Sequence, residues 1–301
     1  MADESRRTLM MRARRLLEEA GVEHAAREAR WMLEAAAGLG GAALMAALDD
    51  APSRPESLRY EEWVERRVRR EPLQYILGEA EFRGRLFGVE PGVLIPRPET
   101  EWLVDWVVRE APEGGRVMDV GTGSGCIAVS IAAERPDLEL LAVDVSAEAL
   151  RVARGNAARH HVRVEFRQMD VLIEQDVPLL DVLVSNPPYV PTAERASMQP
   201  EVLAHEPALA LFPGDDLLVF YRVLAALGQA RLRGGGGAEG SDGSDESEGS
   251  DGPVRGGLLV AEVHTDHAGD VAALWRDAGF VDVHVHKDLF GRDRVVTAVK
   301  A

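Results

Sequence analysis

The spacing of apolar residues changes along this chain, and the change divides it. Over residues 5–71 apolar positions recur at helical intervals. Leu9, Ala13, Leu16, Leu17 and Ala20 fall on one face, and Gly21 offers a stop. Residues 23–38 and 41–48 read as further helices, and residues 52–55 as a loop. A last helix carries Tyr60, Trp63, Val64 and Val68 towards Pro72. This predicts a small helical bundle, either a self-contained core or a platform for a macromolecular substrate. From Arg116 onward short apolar runs alternate with helical stretches. That is the mark of an α/β unit whose mostly parallel sheet is covered on both faces. Strands are predicted at 116–120, 138–143, 162–167, 180–185, 257–263, 280–286 and 294–299, and a helix at 216–232. The last two strands alternate apolar and polar residues and are expected as an antiparallel edge pair.

Between these regions, residues 74–95 hold two apolar stretches about Arg83 and Gly84, which predicts a β-hairpin. Pro96 and Pro98 stiffen its exit, and a helix resumes over 99–110. The expected organisation is a helical domain at 1–73, a hairpin linker at 74–98 and an α/β domain at 99–301. Residues 234–253 combine glycine and serine with six acids and no base. They are expected as a disordered, self-repelling insertion. Joining a helix to a strand, the insertion belongs at the amino ends of the strands, opposite the edge where α/β sheets bind ligands. Deleting it is expected to leave turnover intact.

The chain has 301 residues, 46% of them hydrophobic, which suits a soluble two-domain protein. A net charge of -17 argues against broad nucleic-acid binding, which needs a basic surface to displace counterions. The lone cysteine, Cys126, excludes an internal disulfide and fits a reducing compartment. No apolar run approaches the roughly 18 residues that span a bilayer. The first residues lack the basic-then-apolar layout of a secretory signal. A cytoplasmic protein is the expectation.

Candidate chemistry sits where the predicted strands end. Asp119-Val-Gly-Thr-Gly-Ser-Gly125 closes the first strand, and Asp144, 19 residues beyond Gly125, ends the next. A glycine loop of this kind lets backbone approach a ligand and points a helix N-terminus at an anion, and dinucleotide enzymes share it. In a methyltransferase the anion is the methionyl carboxylate of S-adenosylmethionine, and Asp144 would accept from the ribose hydroxyls. Gly121, Thr122, Gly123, Ser124, Gly125 and Asp144 are therefore cofactor candidates. Asp119 reads as a structural acid under the loop. Asp170 and Val171, after the third strand, would reach adenine, with a plain surface acid as the alternative for Asp170.

Asn186-Pro187-Pro188-Tyr189 follows the apolar run at 182–185. An amide or aromatic amine nitrogen is a poor nucleophile because its lone pair is delocalised. Its NH2 group must be held by acceptors that aim the lone pair at the methyl carbon. The Asn186 side-chain oxygen and the Pro187 carbonyl suit that task, and proline fixes the backbone. Tyr189 would cover the planar substrate. Asn186, Pro187, Pro188 and Tyr189 are the substrate-binding candidates, with Asn186, Pro187 and Tyr189 as the catalytic ones. Residues 96–101 read either as a wall of the cofactor pocket or as a helix start. Cys126 reads as a small buried residue. His284 and His286 read as a solvated strand face, and His264 and His267 as surface residues. No metal site is expected.

Four stretches occur in order: Gln74-Tyr-Ile-Leu-Gly-Glu-Ala-Glu-Phe82, Pro91-Gly-Val-Leu-Ile-Pro-Arg-Pro-Glu-Thr-Glu101, the glycine loop, and Ser185-Asn-Pro-Pro-Tyr-Val-Pro191. With them the chain resembles the peptide chain release factor glutamine methyltransferase (HemK/PrmC) family. The resemblance continues through Glu206-Pro-Ala-Leu-Ala210 and the stretch 288–296. It implies a five-helix N-terminal domain, a hairpin linker and a Rossmann-like, seven-stranded class I methyltransferase domain. It implies methylation of the glutamine in the Gly-Gly-Gln motif of class I release factors. By motif, Gly121 to Gly125, Asp144, Val171 and Asn186 would contact S-adenosylmethionine. The insertion at 234–253 and the missing glycine after Asp216 depart from the family pattern. Two rivals remain: a ribosomal-protein glutamine methyltransferase, and a nucleic-acid amine methyltransferase working on a flipped base. The cluster Arg66, Arg67, Arg69 and Arg70 is the feature that favours the latter. A monomer is expected.

Overall fold

The computed structural model describes residues 4–235 and 256–301. The acidic stretch expected at 234–253 therefore lies, from residue 236 on, outside the described residues. Packing divides the rest into two units. One comprises the described residues through Glu79, together with Val89–Pro91 and Ser197–Glu206. The other comprises Ala80–Gly88, Gly92–Ala196 and the described residues from Pro207 onward.

The amino-terminal part of the first unit holds five helices: α1 (Arg6–Glu19), α2 (Ala25–Ala37), α3 (Gly41–Ala46), α4 (Arg54–Val68) and α5 (Leu73–Leu77). Ser5 caps α1 by accepting the Thr8 amide, and Ser53 with Glu56 forms a capping box on α4. Leu9, Ala13 and Leu17, spaced by four, face inward. Leu16, expected on that face, is 41% exposed, because neighbours on a helix are rotated by roughly 100°. The inward residues meet Met32, Leu33, Leu44 and Tyr60, whose hydroxyl donates to the Ala29 carbonyl at 2.9 Å. The start of the expected hairpin region is helical instead. Leu73 joins this core, and Gly78 at φ 77° ends α5. Arg67, 4% exposed, is held by Glu28 at 2.6 Å and by Glu201 at 3.1 Å. Arg70 reaches the same Glu201 at 2.5 Å. Glu201 lies on the short helix Pro200–His205, far along the chain but part of this unit.

The hairpin consists of β1 (Glu79–Phe82) and β2 (Arg85–Gly88). Its turn residues, Arg83 at φ 51° and Gly84 at φ 67°, are both left-handed, the twist that a two-residue hairpin needs. Glu134 holds the Arg83 side chain at 2.9 Å, and Glu101 accepts its backbone N–H at 2.8 Å. Then follow α6 (Glu101–Glu110), β3 (Arg116–Val120), α7 (Cys126–Glu134), β4 (Glu139–Asp144) and α8 (Ala147–Arg159). Next come β5 (Glu165–Gln168), β6 (Val182–Ser185), α9 (the Pro200–His205 helix), α10 (Ala208–Leu211) and α11 (Val219–Arg231). The order closes with β7 (Leu258–Glu262), α12 (Ala268–Asp277), β8 (Phe280–Lys287) and β9 (Asp293–Lys300).

Seven strands form one sheet in the order β5-β4-β3-β6-β7-β9-β8. The first five are parallel, and β9 runs antiparallel to β7 and β8. The expected antiparallel pair is thus present at one edge. Neighbouring residues of β6 feed opposite layers: Leu183 packs in the cluster with Tyr221, Leu224 and Trp275. Val182 and Val184 pack in the cluster with Leu103, Val107 and Ile127. Each such fully buried side chain contributes about 1.5–3 kcal/mol. From β3 the chain moves out to β4 and β5, then returns to β6 on the other side of β3. That reversal opens a crevice at the carboxyl ends of β3 and β6.

Candidate active site

Four strands deliver their carboxyl ends to one cavity of about 440 Å³, a size typical of small-molecule sites. After β3 come Gly121, Thr122, Gly123 and Ser124; after β5 come Asp170 and Val171; after β6 come Asn186, Pro187 and Pro188. Asp144, the last residue of β4, completes the set, and all of these line the cavity. Two expected site residues, Gly125 and Tyr189, are not among its lining residues. Gly125, at φ 81°, instead lets α7 approach α8: a Cβ added there would sit 3.0 Å from that of Ala153. The Tyr189 hydroxyl is drawn away to Glu262 at 2.6 Å.

The register explains why the loops meet. Val120 pairs with Val143 on one side and Ser185 on the other, and the Ser185 hydroxyl donates to the Val120 carbonyl at 2.8 Å. Gly123 adopts φ 56°, with open space where a Cβ would lie, and its N–H donates to Asp144 at 2.9 Å. The other Asp144 oxygen accepts from the Ser146 amide, also at 2.9 Å. Burial pushes the Asp144 carboxyl above its ordinary pKa, against the pull of these backbone donors. Asp119 is wholly buried and accepts the Thr122 hydroxyl at 2.7 Å. Burial pushes its carboxyl up to about 7. Asp170 accepts the Leu172 N–H at 3.0 Å in a tight turn, and Val171 is buried behind it.

Asn186 belongs to a polar chain whose members lie far apart in the sequence. Its Nδ2 donates to Thr100 Oγ1 at 3.0 Å, and Thr100 Oγ1 donates to Glu262 Oε2 at 2.7 Å. Glu262 ends β7 and is 1% exposed. Its Oε1 accepts from Tyr189, and its backbone carbonyl accepts from the Tyr221 hydroxyl at 3.0 Å. Burial pushes the Glu262 carboxyl up, opposed by the Tyr189 and Thr100 hydroxyls. Thr100 itself lines the cavity, in line with the pocket-wall reading of residues 96–101. A signal for Glu262 is present in the sequence: like Asp144, it is an acid that closes an apolar run.

The remaining candidates divide. Cys126 is buried, and burial pushes its thiol up to about 12, as suits an inert residue. His284 is exposed. His286 is not the solvated residue expected: its ring lies 4.2 Å from that of Trp106, and its Nε2 is 2.8 Å from Thr297 Oγ1. His264 is half-buried beside Glu194 and Asp266, one ligand-type atom of each lying within 4.8 Å of the others. Nothing else at that spot points to a cation.

Comparison with known proteins places the whole chain. Residues 8–78 match the PrmC N-terminal domain, and residues 98–225 match the methyltransferase small domain. The release factor glutamine methyltransferase of Geobacter sulfurreducens is 39% identical over 281 residues, covering 93% of this chain and 91% of its own. That of Deinococcus radiodurans is 37% identical over 297 residues, covering 98% of each chain. The chain belongs to the release factor glutamine methyltransferase family. A further family member, from Bacteroides thetaiotaomicron, is 44% identical over 231 residues, 76% of each chain. The fold is shared more widely. A methyltransferase from Pyrococcus furiosus superposes with a TM-score of 0.50 at 15% identity, covering 71% of this chain and 88% of that one.

As a family member the protein is an S-adenosylmethionine-dependent methyltransferase, and the cavity fits that cofactor. Asp144, Glu148 and Asp170 line it against a single cation, Arg97. S-adenosylmethionine carries a sulfonium and an ammonium against one carboxylate, so acid-rich walls suit it. The two phosphates of a dinucleotide would find Arg97 as the one cation among the lining residues, a poorer match of charge.

Proposed function

We propose that this protein transfers the methyl group of S-adenosylmethionine to the side-chain amide nitrogen of the glutamine in the Gly-Gly-Gln motif of class I peptide chain release factors. Family membership supports the reaction. The observation that carries the residue-level reading is the polarity of Asn186. Its Nδ2 is engaged by Thr100, so the acceptor it has left for a substrate is Oδ1.

The residues then divide the work as follows. Gly121, Thr122, Gly123, Ser124, Gly125 and Asp144 hold the cofactor's amino-acid and ribose parts, Gly125 by shaping the loop. Asp170 and Val171 hold the adenine. The bound cofactor supplies an electrophilic methyl group on a cationic sulfur, a good leaving group. Asn186 Oδ1 and the Pro187 carbonyl accept the two N–H bonds of the substrate amide and hold its nitrogen in line. Pro187 and Pro188 fix the backbone so that this carbonyl cannot drift. Tyr189, tied to Glu262, anchors the end of the tetrapeptide rather than covering the substrate. Positioning and electrostatics supply the rate, and no strong base is required, because the nitrogen sheds its proton as it becomes cationic.

The helical domain, expected at 1–73, docks the release factor, with residues 74–98 as the link to the catalytic domain. The protein works as a cytoplasmic monomer, without direct contact to nucleic acid. Three of the four clustered arginines support that last point. Arg66 pairs with Glu71 at 2.6 Å, and Arg67 and Arg70 are held by Glu28 and Glu201, which leaves little free positive charge. Among the described residues no helix is long and apolar enough to cross a membrane.

The test is methyl transfer from radiolabelled S-adenosylmethionine to a recombinant release factor, beside a copy whose Gly-Gly-Gln glutamine is alanine. Label on the first alone is the expected outcome. Label on neither, with cofactor binding intact, would redirect the search to a ribosomal protein and then to nucleic acid.

A further inference from the structure

A hydroxyl has one proton, and that fact gives the polar chain at Asn186 a direction. Glu262 is deeply buried, and as a carboxylate it accepts only. It takes the hydroxyl proton of Thr100 at 2.7 Å and that of Tyr189 at 2.6 Å. Having given its proton away, Thr100 Oγ1 is an acceptor towards Asn186, and only the nitrogen end of the amide satisfies it, at 3.0 Å. The two ends of an asparagine amide have nearly the same shape, so packing alone does not choose between them. A flipped Asn186 would turn NH2 towards the substrate NH2, donor against donor.

We propose that Glu262, acting through Thr100, is a positioning residue that locks the Asn186 amide with its oxygen towards the acceptor nitrogen. Through Tyr189 the same carboxylate holds the other end of the Asn-Pro-Pro-Tyr segment, so one buried acid fixes both ends of the substrate loop. This rests on the reading that Asn186 holds the glutamine amide. Thr100 lines the cavity and Glu262 does not. The acid therefore acts at one remove, shielded from the solvent that would compete for its donors.

Thr100→Val keeps the shape and removes the relay, and Thr100→Ser restores the hydroxyl alone. Three measurements go together: kcat and KM for the release factor, the dissociation constant for S-adenosylmethionine, and solvent exchange of the Asn186 side-chain NH2. The last is read by NMR in protein labelled with 15N-asparagine, the signal being assigned by its loss in Asn186→Ala. The valine variant is expected to lose about 100-fold in kcat, with KM and cofactor affinity within about threefold. Its Asn186 NH2 protons exchange at least about tenfold faster, and serine restores both readouts. The kcat losses of Glu262→Gln and Thr100→Val are expected to combine to less than their product, because both break one relay. A valine variant with near-wild-type kcat, unchanged NH2 exchange, failure of serine to rescue, or fully multiplicative losses would overturn the proposal. Wild-type protein that leaves the release factor unlabelled, yet shows NH2 protection that Thr100→Val abolishes, would sink the assigned substrate while supporting the relay.

Discussion

Two buried glutamates, one in each unit, are held in opposite ways. Glu201 in the helical unit meets two guanidinium groups, Arg67 at 3.1 Å and Arg70 at 2.5 Å. Glu262 in the sheet unit accepts two hydroxyls, from Thr100 and Tyr189. Burial alone would raise both carboxyls. At Glu201 its own backbone N–H, Arg70 and Arg67 outweigh burial and leave the carboxyl below its ordinary pKa. At Glu262 the hydroxyls, even with the charge of Arg294, do not outweigh it, and the carboxyl stays above. An ion pair fixes where a segment lies, while neutral donors fix which way their own protons point. The first arrangement suits architecture, and the second suits the orienting role proposed for Glu262 at Asn186.

The comparison breaks most visibly at the far end of the Glu262 chain. Asn186→Ala is expected to cut kcat by about a thousandfold or more while S-adenosylmethionine affinity, measured by calorimetry, stays largely intact. Near-wild-type turnover would leave the chain without a catalytic purpose. Arg67→Met probes the other glutamate. Removing one partner of a buried pair is expected to cost about 3 kcal/mol in urea denaturation, with kcat per folded molecule unchanged.

Acid sharpens the contrast by sign. A depressed carboxyl such as Glu201 contributes stability above its ordinary pKa and loses it as pH falls through the lower folded value. A raised one does the reverse. Asp119, with a folded pKa of about 7, binds its proton in the native state where the unfolded chain has released it. Its contribution is therefore most favourable below the ordinary carboxylate range and is lost as pH rises to 7. Asp119→Asn is expected to remove that slope, gaining on the order of 2 kcal/mol over wild type at pH 8 and nothing at pH 4. Parallel denaturation curves across this range would contradict the assignment. The smallest effect belongs to residues 236–253. Their removal is expected to change kcat by less than about twofold in the methyl-transfer assay.

Much of this was legible in the sequence, for reasons that differ by element. The interior strands are legible because β3, β4 and β6 are buried on both faces and appear as mainly apolar runs, with Asp119 the one charge inside them. The edge strand β5, at Glu165–Gln168, starts three residues later than the apolar pattern predicts, since partly exposed strands carry a weaker pattern. The hairpin turn was marked by Gly84, but Leu73–Leu77 turned helical because the first unit's core recruited Leu73. The loops that line the cavity were marked by glycine, proline and single acids at strand ends. Their cross-connections were not. No spacing relates Thr100 to Glu262, 162 positions away, or Arg67 to Glu201, 134 away. Only strand order and tertiary packing bring such partners together. Tyr189 shows the same limit: no spacing in the sequence relates its hydroxyl to Glu262, 73 positions away.

The placement of Ser197–Glu206 in the first unit has a consequence for synthesis. During translation the five helices emerge first, yet Arg67 and Arg70 lack Glu201 until more than 130 further residues have been made. The amino-terminal unit is begun first, but its last piece, Ser197–Glu206, is made only after most of the parallel strands of the second unit. A nascent chain arrested before residue 197 should hold a loosened bundle that tightens only once α9 clears the ribosome. Completion of the first unit is then tied to synthesis of a segment embedded in the second.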